Sequence, residues 1–500
     1  MTMPEKATLL FSEAEWDFAT LDRALKVIEE IAVNELKLDV YPNQIEVISS
    51  EQMLDAYSSL AMPLMYNHWS FGKLFAREET LYRAGYTALA YEIVINSSPC
   101  ISYLLEENSM TMQALVIAHA AFGHNHFFKN NYLFRQWTNA GGILDYLAFA
   151  KGYIAACEER YGRGDVEAVL DSAHALMDQG VFRYSRPPRP SRERMMEKHR
   201  KRREYEEEAY SELWRTLPAG IEPPLAPPIP DPEDDGGDMK LPEENILYFL
   251  EKHSPSLKAW QRETLRIVRT LAQYFYPQKQ TKVMNEGCAT FVHHAIMNRL
   301  YDKGLIGEGS LLEFLHSHTS VVFQPEFDDR RYNGINPYAL GYGMMADIKR
   351  ICEEPTAEDR DWFPAFAGNT DYMAILREAW ANYRDESFIE QFLSPKLMRD
   401  FRLFALYDRA AEPTYKVSAI HSESGYRAVR SQLARQYDIG IAEPNIQVVD
   451  ADLKGDRRLL LQHRMHRGVP LHEKTKHAVL AHVERLWGHE VDLEEVDAGA

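Results

Sequence analysis

The residues best equipped for chemistry lie in two apolar stretches. The first, QALVIAHAAFGHNHFFKNN (113–131), carries His119, His124 and His126. On a continuous α-helix His119 and His126, seven apart, fall within about 20° of each other, whereas His124 lies about 140° from His119. Gly123 is the expected remedy, since glycine tolerates the backbone angles of a helix end and could swing His124 back. The second stretch, VMNEGCATFVHHAIMNRL (283–300), sets Glu286 and His293 seven apart, with Thr290 near the same face. Its apolar neighbours imply burial, and a buried carboxylate requires a cation, a proton or strong donors. A divalent metal shared by imidazoles of the first stretch and by Glu286 would satisfy it. Such ligation suits zinc first, with iron or manganese as alternatives. The competing reading is a set of structural histidines and a salt bridge from Glu286 to an arginine or lysine.

The start NEGCA is similar to the downstream glutamate motif of gluzincin metallopeptidases, in which a helix supplies the third zinc ligand after an HExxH helix. The chain contains no HExxH: Ala120 stands where the water-activating glutamate would be, and His119 to His124 is one residue too long. The resemblance implies a zincin-like helical core, with either a likeness of scaffold alone or a metal-dependent hydrolase whose catalytic carboxylate comes from elsewhere. Glu92 of YEIVIN and Glu106 of LLEEN, beside Glu107, are the candidates. His316 and His318 of LHSHTSVVFQ share one side of a possible strand. Cys100 and Cys288 carry no nucleophile signature, and no Walker loop or GxGxxG fingerprint is present.

These groups must be positioned mostly by helices. Apolar residues recur at three- and four-residue steps over 13–37. Buried helices are expected from Ala76 to Gln113 and on to His126, where Glu92 and Asn96 would lie one turn apart. Further helices are expected over 141–161, 166–177, 243–274 and 283–303. Residues 192–214 alternate basic and acidic blocks, the pattern of a solvated helix, and 217–242 concentrate Pro, Asp and Gly, which breaks regular structure. Beyond residue 412 the order reads β-α-β-β-α-β, that of the ferredoxin-like split βαβ motif, with a hairpin at Lys454–Asp456. The expected class is therefore α+β. A helical core over 1–216 and 243–411, interrupted by the linker 217–242, is followed by a small domain over 412–500.

The chain has 500 residues, enough for two to four structural units, and its 45% hydrophobic and 26% charged residues are those of a folded globular protein. A formal charge of −19 argues against a general grip on nucleic acid phosphates. Four scattered cysteines without CxxC spacing suggest neither a disulfide framework nor a thiolate zinc site. With no secretory signal and no run of about 18 apolar residues, a cytoplasmic protein without a membrane span is expected.

Several longer motifs resemble the SpoVR family, stage V sporulation protein R, over essentially the whole chain. They are MPLMYNHWSFGK (62–73), YEIVINSSPCISYLLEEN (91–108), AHxxxGHxxFFKNN (118–131), YFYPQKQTKVMNEG (274–287), GINPYALG (334–341) and EPNIQVVDADLKGDRRLLL (443–461). YFYPQKQ and LHSHTSVVFQP point to the enterobacterial type. The resemblance implies a cytoplasmic bacterial protein, linked to spore-cortex peptidoglycan in spore-formers and to stress or stationary-phase physiology elsewhere. It also implies a PrkA-type serine kinase and a von Willebrand A-type domain protein as partners. The family has Trp where this chain has Cys288, and often lacks histidine at 126 and 294. That favours His119, His124, Glu286 and His293 as the metal set, with Glu92 or Glu106 handling protons. Two functions follow: a metal-dependent hydrolase acting on a peptide or cell-wall precursor, or a non-catalytic scaffold working with those partners.

Overall fold

A computed structural model of the chain describes residues 8–58, 65–70, 92–183, 241–407, 416–419, 422–453 and 455–497, together with Lys73, Ala76, Arg77 and Thr80. The charged segment 192–214, most of the linker 217–242 and most of 76–91 lie outside the described residues. The chain divides into two compact units. The first comprises Met1–Met65, Trp69–Tyr146 and Pro277–Ala442; the second comprises Tyr66–His68, Leu147–Tyr276 and Glu443–Ala500.

In the first unit α1 (Phe18–Glu29) opens where Asp17 Oδ1 accepts the Thr20 N–H at 2.6 Å. Strand β1 (Asn43–Ile48), helix α2 (Ser50–Ser58) and strands β2 (Glu92–Ile95) and β3 (Cys100–Leu105) follow. The strands form one sheet in the order β1-β3-β2, with β1 parallel and β2 antiparallel to β3. This corrects the helical expectation for 91–105. EIVI and CISYLL are short β-branched or aromatic runs separated by Asn-Ser-Ser-Pro, and at that length apolar content alone does not distinguish strand from buried helix. Helix α3 (Met110–Ile117) is capped by Ser109 Oγ, which accepts the Met112 N–H. It passes through a π-helical segment, Ala118–His124, into α4 (Asn125–Asn130), and α5 (Tyr132–Trp137) follows.

Helices α6 (Ile143–Tyr161), α7 (Arg163–Ala175), α8 (Ile246–His253) and α9 (Ala259–Gln280) lie wholly or mainly in the second unit. In it Glu251, 2% exposed, is neutralised by Arg266 and Arg269, each at 2.9 Å.

The first unit resumes with α10 (Lys282–Asp302), α11 (Glu308–Val321), α12 (Pro337–Glu353), α13 (Ala357–Trp362), α14 (Tyr372–Asn382), α15 (Asp385–Phe392) and α16 (Pro395–Asp400). Helix α10 is buried on nearly all sides, as its apolar sequence requires. Its N-terminus is closed from a distance: Asp385 accepts the N–H groups of Val283 and Met284, both at 2.8 Å, through its two carboxylate oxygens. Helix α11 overturns the strand expected around LHSHTS and turns His318 inward while His316 stays exposed.

Backbones meet closely on both sides of α10. A Cβ built on Gly123 would sit 2.5 Å from Ala289 Cα, and one on Gly287 would sit 2.6 Å from Gly341 Cα. Gly123 therefore neither ends nor breaks its helix; its missing side chain lets the histidine-bearing segment lie against α10. Gly123→Ala should lower stability by about 1–3 kcal/mol through overpacking, seen as a reduced urea midpoint with unchanged slope. An unchanged midpoint would mean that the two segments can separate at no cost.

The expected β-α-β-β-α-β sheet is not formed among the described residues. Its first strand, β5 (Lys416–Ala419), pairs with β4 (Ala405–Tyr407). The next helix, α17 (Glu423–Gln436), is bound to the first unit, where Arg430 donates to the carbonyls of Glu390 and Leu393. A short helix, α18 (Ile439–Ala442), ends that unit. The C-terminal sheet has three strands, β6 (Asn445–Ala451), β7 (Leu459–Met465) and β8 (Val491–Asp497) in that order, with α19 (Glu473–Trp487) between the last two. The break thus falls at Ala442–Glu443 rather than near residue 412. The architecture is α+β, mainly helical, with a small C-terminal sheet. No helix among the described residues is long and apolar enough to cross a membrane.

Candidate metal centre

The π-helical segment decides the geometry. In an α-helix residues five apart point in divergent directions, but a hydrogen-bond step of five residues stacks them on one face. His119 and His124 are five apart, at the second and last positions of Ala118–His124, and their ring centroids lie 4.6 Å apart, edge to face. The local winding, rather than a bend at Gly123, gathers them.

Strand β2 adds a carboxylate at its first residue. Glu92 Oε1 stands 3.7 Å from His119 Nε2, and Glu92, His119 and His124 each offer a ligand atom within 4.8 Å of the others. From α10, Glu286 Oε2 reaches to 3.6 Å from His124 Nε2. Separations of 3.6–3.7 Å are too long for hydrogen bonds. They resemble the roughly 3.4 Å between two ligands of one ion at tetrahedral angles and zinc–ligand distances of about 2.1 Å. Glu286 Oε2 is buried and has no hydrogen-bond partner, and among the described residues Glu286 pairs with no lysine or arginine. The salt bridge considered for it from sequence is not formed there.

The back of each ring is held. His124 Nδ1–H donates to Asn285 Oδ1 at 2.9 Å, which leaves the Nε2 lone pair facing the carboxylates. His119 Nδ1 lies 2.9 Å from His293 Nδ1, and His293 Nε2 lies 3.0 Å from His318 Nδ1. His293 is thus placed behind His119, away from the Nε2 atom that faces Glu92. Tyr338 stacks nearly parallel to His119 at 6.5 Å.

Electrostatics suit a cation. Burial, reinforced by the nearby Glu286 charge, pushes the Glu92 carboxyl up to about 8. Burial also holds His119 and His293 far below the ordinary imidazole range, with His124 and His119 respectively as the next cause. His318 and His294 are pushed down to about 4, again chiefly by burial. His119, His293, His294 and His318 are thereby held neutral at pH 7, and His119 need lose no proton to bind a metal.

Other sequence candidates lie elsewhere. Glu106 is on an exposed turn after β3, its N–H bonded to the Ile48 carbonyl, so it is corrected to a surface residue. His126 Nδ1 accepts the Asp39 N–H at 3.0 Å and its ring packs on Trp380, which makes it part of the scaffold. All four cysteines are buried and free. Sequence reasoning overlooked Asn285, although it directly precedes Glu286, and Asp385, for which no local pattern exists. His318 was noticed, but on the wrong element.

Comparison with known proteins supplies the remaining context. The family model described as SpoVR like protein matches residues 15–442, and that of the SpoVR-like C-terminal domain matches residues 444–498. The two ranges meet where the C-terminal sheet begins. The uncharacterized protein YcgB of Escherichia coli (strain K12) is 54% identical over 495 residues, which cover 99% of this chain and 95% of that protein. No solved structure matches.

Proposed function

From the premise that the chain belongs to the SpoVR family, we propose that it is a metal-dependent hydrolase. Glu92, His119 and His124 hold the ion and Glu286 carries the proton. The observation behind this reading is the convergence of those three ligand atoms within 4.8 Å, in a buried setting with no lysine or arginine paired to Glu286 among the described residues. Two imidazoles and one carboxylate are the ligand type of catalytic zinc, and they leave a position for water and substrate. The two carboxylates take roles opposite to those expected from the sequence. Glu92 lies in reach of both histidines, whereas Glu286 approaches from the His124 side with one oxygen unengaged.

A bound divalent ion would polarise the scissile carbonyl and acidify water. Glu286 Oε2 would take the proton released on attack and return it to the leaving amine. Asn285 keeps His124 in the tautomer that exposes Nε2. Histidines on a π-helical segment facing a carboxylate on a second helix form a zincin-like core in which the five-residue spacing replaces HExxH. The family's link to the spore cortex gives the substrate class, a peptide bond of peptidoglycan or its precursors.

The zinc-loaded chain, incubated with soluble peptidoglycan fragments and monitored by mass spectrometry, should release peptide products. Glu286→Gln should cut kcat by about 10²–10⁴-fold while keeping one zinc per chain. Equal turnover by Glu286→Gln would remove Glu286 from the chemistry. A stoichiometric ion without turnover on any fragment would favour the scaffold reading, in which the kinase and the von Willebrand A-type protein are partners and the ion is structural.

A further inference from the structure

Three histidines from three elements form an unbroken line through the core of the first unit. His119 of the π-helical segment, His293 of α10 and His318 of α11 are joined ring to ring at 2.9 and 3.0 Å, and each is at most 5% exposed. Resting on the metal reading above, we infer that His293 and His318 are positioning residues of the centre: an ion on His119 fixes the tautomer of both rings.

A neutral imidazole has one N–H and one lone pair, so two rings that share a hydrogen bond cannot both donate. An ion takes the Nε2 lone pair of His119 and confines its proton to Nδ1. With the Ala289 carbonyl as a second acceptor nearby, that N–H still faces His293 Nδ1 at 2.9 Å, where two protons cannot fit, and this places the His293 proton on Nε2. His293 Nε2–H is then donated to His318 Nδ1, and the His318 proton is left on Nε2, beside the rings of His294 and Tyr342, each 4.7 Å away by centroid. Without the ion the line can run in the opposite direction, ending with His119 Nε2–H towards Glu92. No net proton is gained or lost; occupancy selects one of two directions. A metal-bound histidine normally has its second nitrogen held by a carboxylate or carbonyl. Behind His119 the Ala289 carbonyl is joined by a histidine pair, so ring orientation at the centre also depends on α11, whose sequence lies about 200 residues away.

The test uses the full-length chain labelled with ¹⁵N-histidine, with and without one equivalent of zinc. Two-bond ¹⁵N–¹H correlations report the tautomer of each ring, and His293→Phe and His318→Phe assign the signals. The expected result with zinc is His119 protonated on Nδ1 and both His293 and His318 on Nε2. His293→Phe should weaken zinc binding about 10–100-fold at retained stoichiometry, and His293→Asn, which keeps an acceptor, should recover part of it. Zinc-loaded protein with the His293 proton on Nδ1 would overturn the inference while leaving the metal centre standing. So would a His293→Phe variant that folds and binds zinc as tightly as the parent. A wild-type chain that takes up no zinc would instead overturn the metal reading itself.

Discussion

Glu92→Gln is expected to make the metal-free chain more stable at pH 8 and to deprive it of its ion. Burial raises the Glu92 carboxyl from 4.5 to about 8, so the folded chain keeps this proton over a range in which the unfolded chain has released it. The wild type is therefore unpenalised below about pH 4.5, and its stability falls as the pH rises from there to about 8. At 1.36 kcal/mol per pH unit, and discounted for the 19% of the side chain that meets solvent, the loss is on the order of 3 kcal/mol. Glutamine carries no such proton, so the difference between variant and parent should be small at pH 5 and largest at pH 8. Urea unfolding at both values, in the presence of chelator, measures it. A difference independent of pH would show that Glu92 ionises normally in the fold. Metal binding should show the converse: in the wild type it must displace the Glu92 proton below pH 8, so affinity rises about tenfold per pH unit up to that value and then levels off.

His119→Ala should have the largest effect on the centre itself. It removes one of the three converging donors and cuts the histidine line at its inner end, so zinc affinity should fall by more than the roughly 10–100-fold typical of a lost supporting residue. The thermal stabilisation that zinc gives the wild type, RT ln(1 + [L]/Kd), should vanish with it. Calorimetric titration and melting curves with and without zinc check both consequences. Asn285→Leu, which loses only the hydrogen bond behind His124, should fall between the parent and His119→Ala.

How much of this was legible in the sequence varies by residue. His119, His124 and Glu286 stood out because polar groups amid Ala, Phe, Val and Met must satisfy one another once buried, and the structure brings them together. Their mode of convergence was not legible: nothing in AHAAFGH marks a π-helical step, and the α-helical period sends His124 away. The contact of Gly123 with Ala289 explains why the glycine is needed there, but it is a property of two segments that no single stretch displays. Strands β2 and β3 were hidden because a four- to six-residue apolar run fits strand and buried helix equally. The run LHSHTSVVFQ had the reverse fault: His316 and His318, two apart, fit one side of a strand, whereas they lie on α11, which buries only His318. Strand β5 was read correctly as a strand, but its partner is β4 and not the C-terminal sheet, because pairing depends on which edge is near rather than on local pattern. Asp385 was out of reach, capping α10 from about a hundred residues away.

The proposed chemistry depends on one ion held between β2 and the π-helical segment. Zinc-edge X-ray absorption on the purified full-length chain, with its metal content determined in parallel, addresses that directly. The prediction is one zinc per chain, two imidazole nitrogens at about 2.0 Å, carboxylate oxygen and no sulfur, with the imidazole signal lost in the His119→Ala/His124→Ala double variant. A chain that takes up no ion, or an ion whose imidazole signal survives in the double variant, would contradict it.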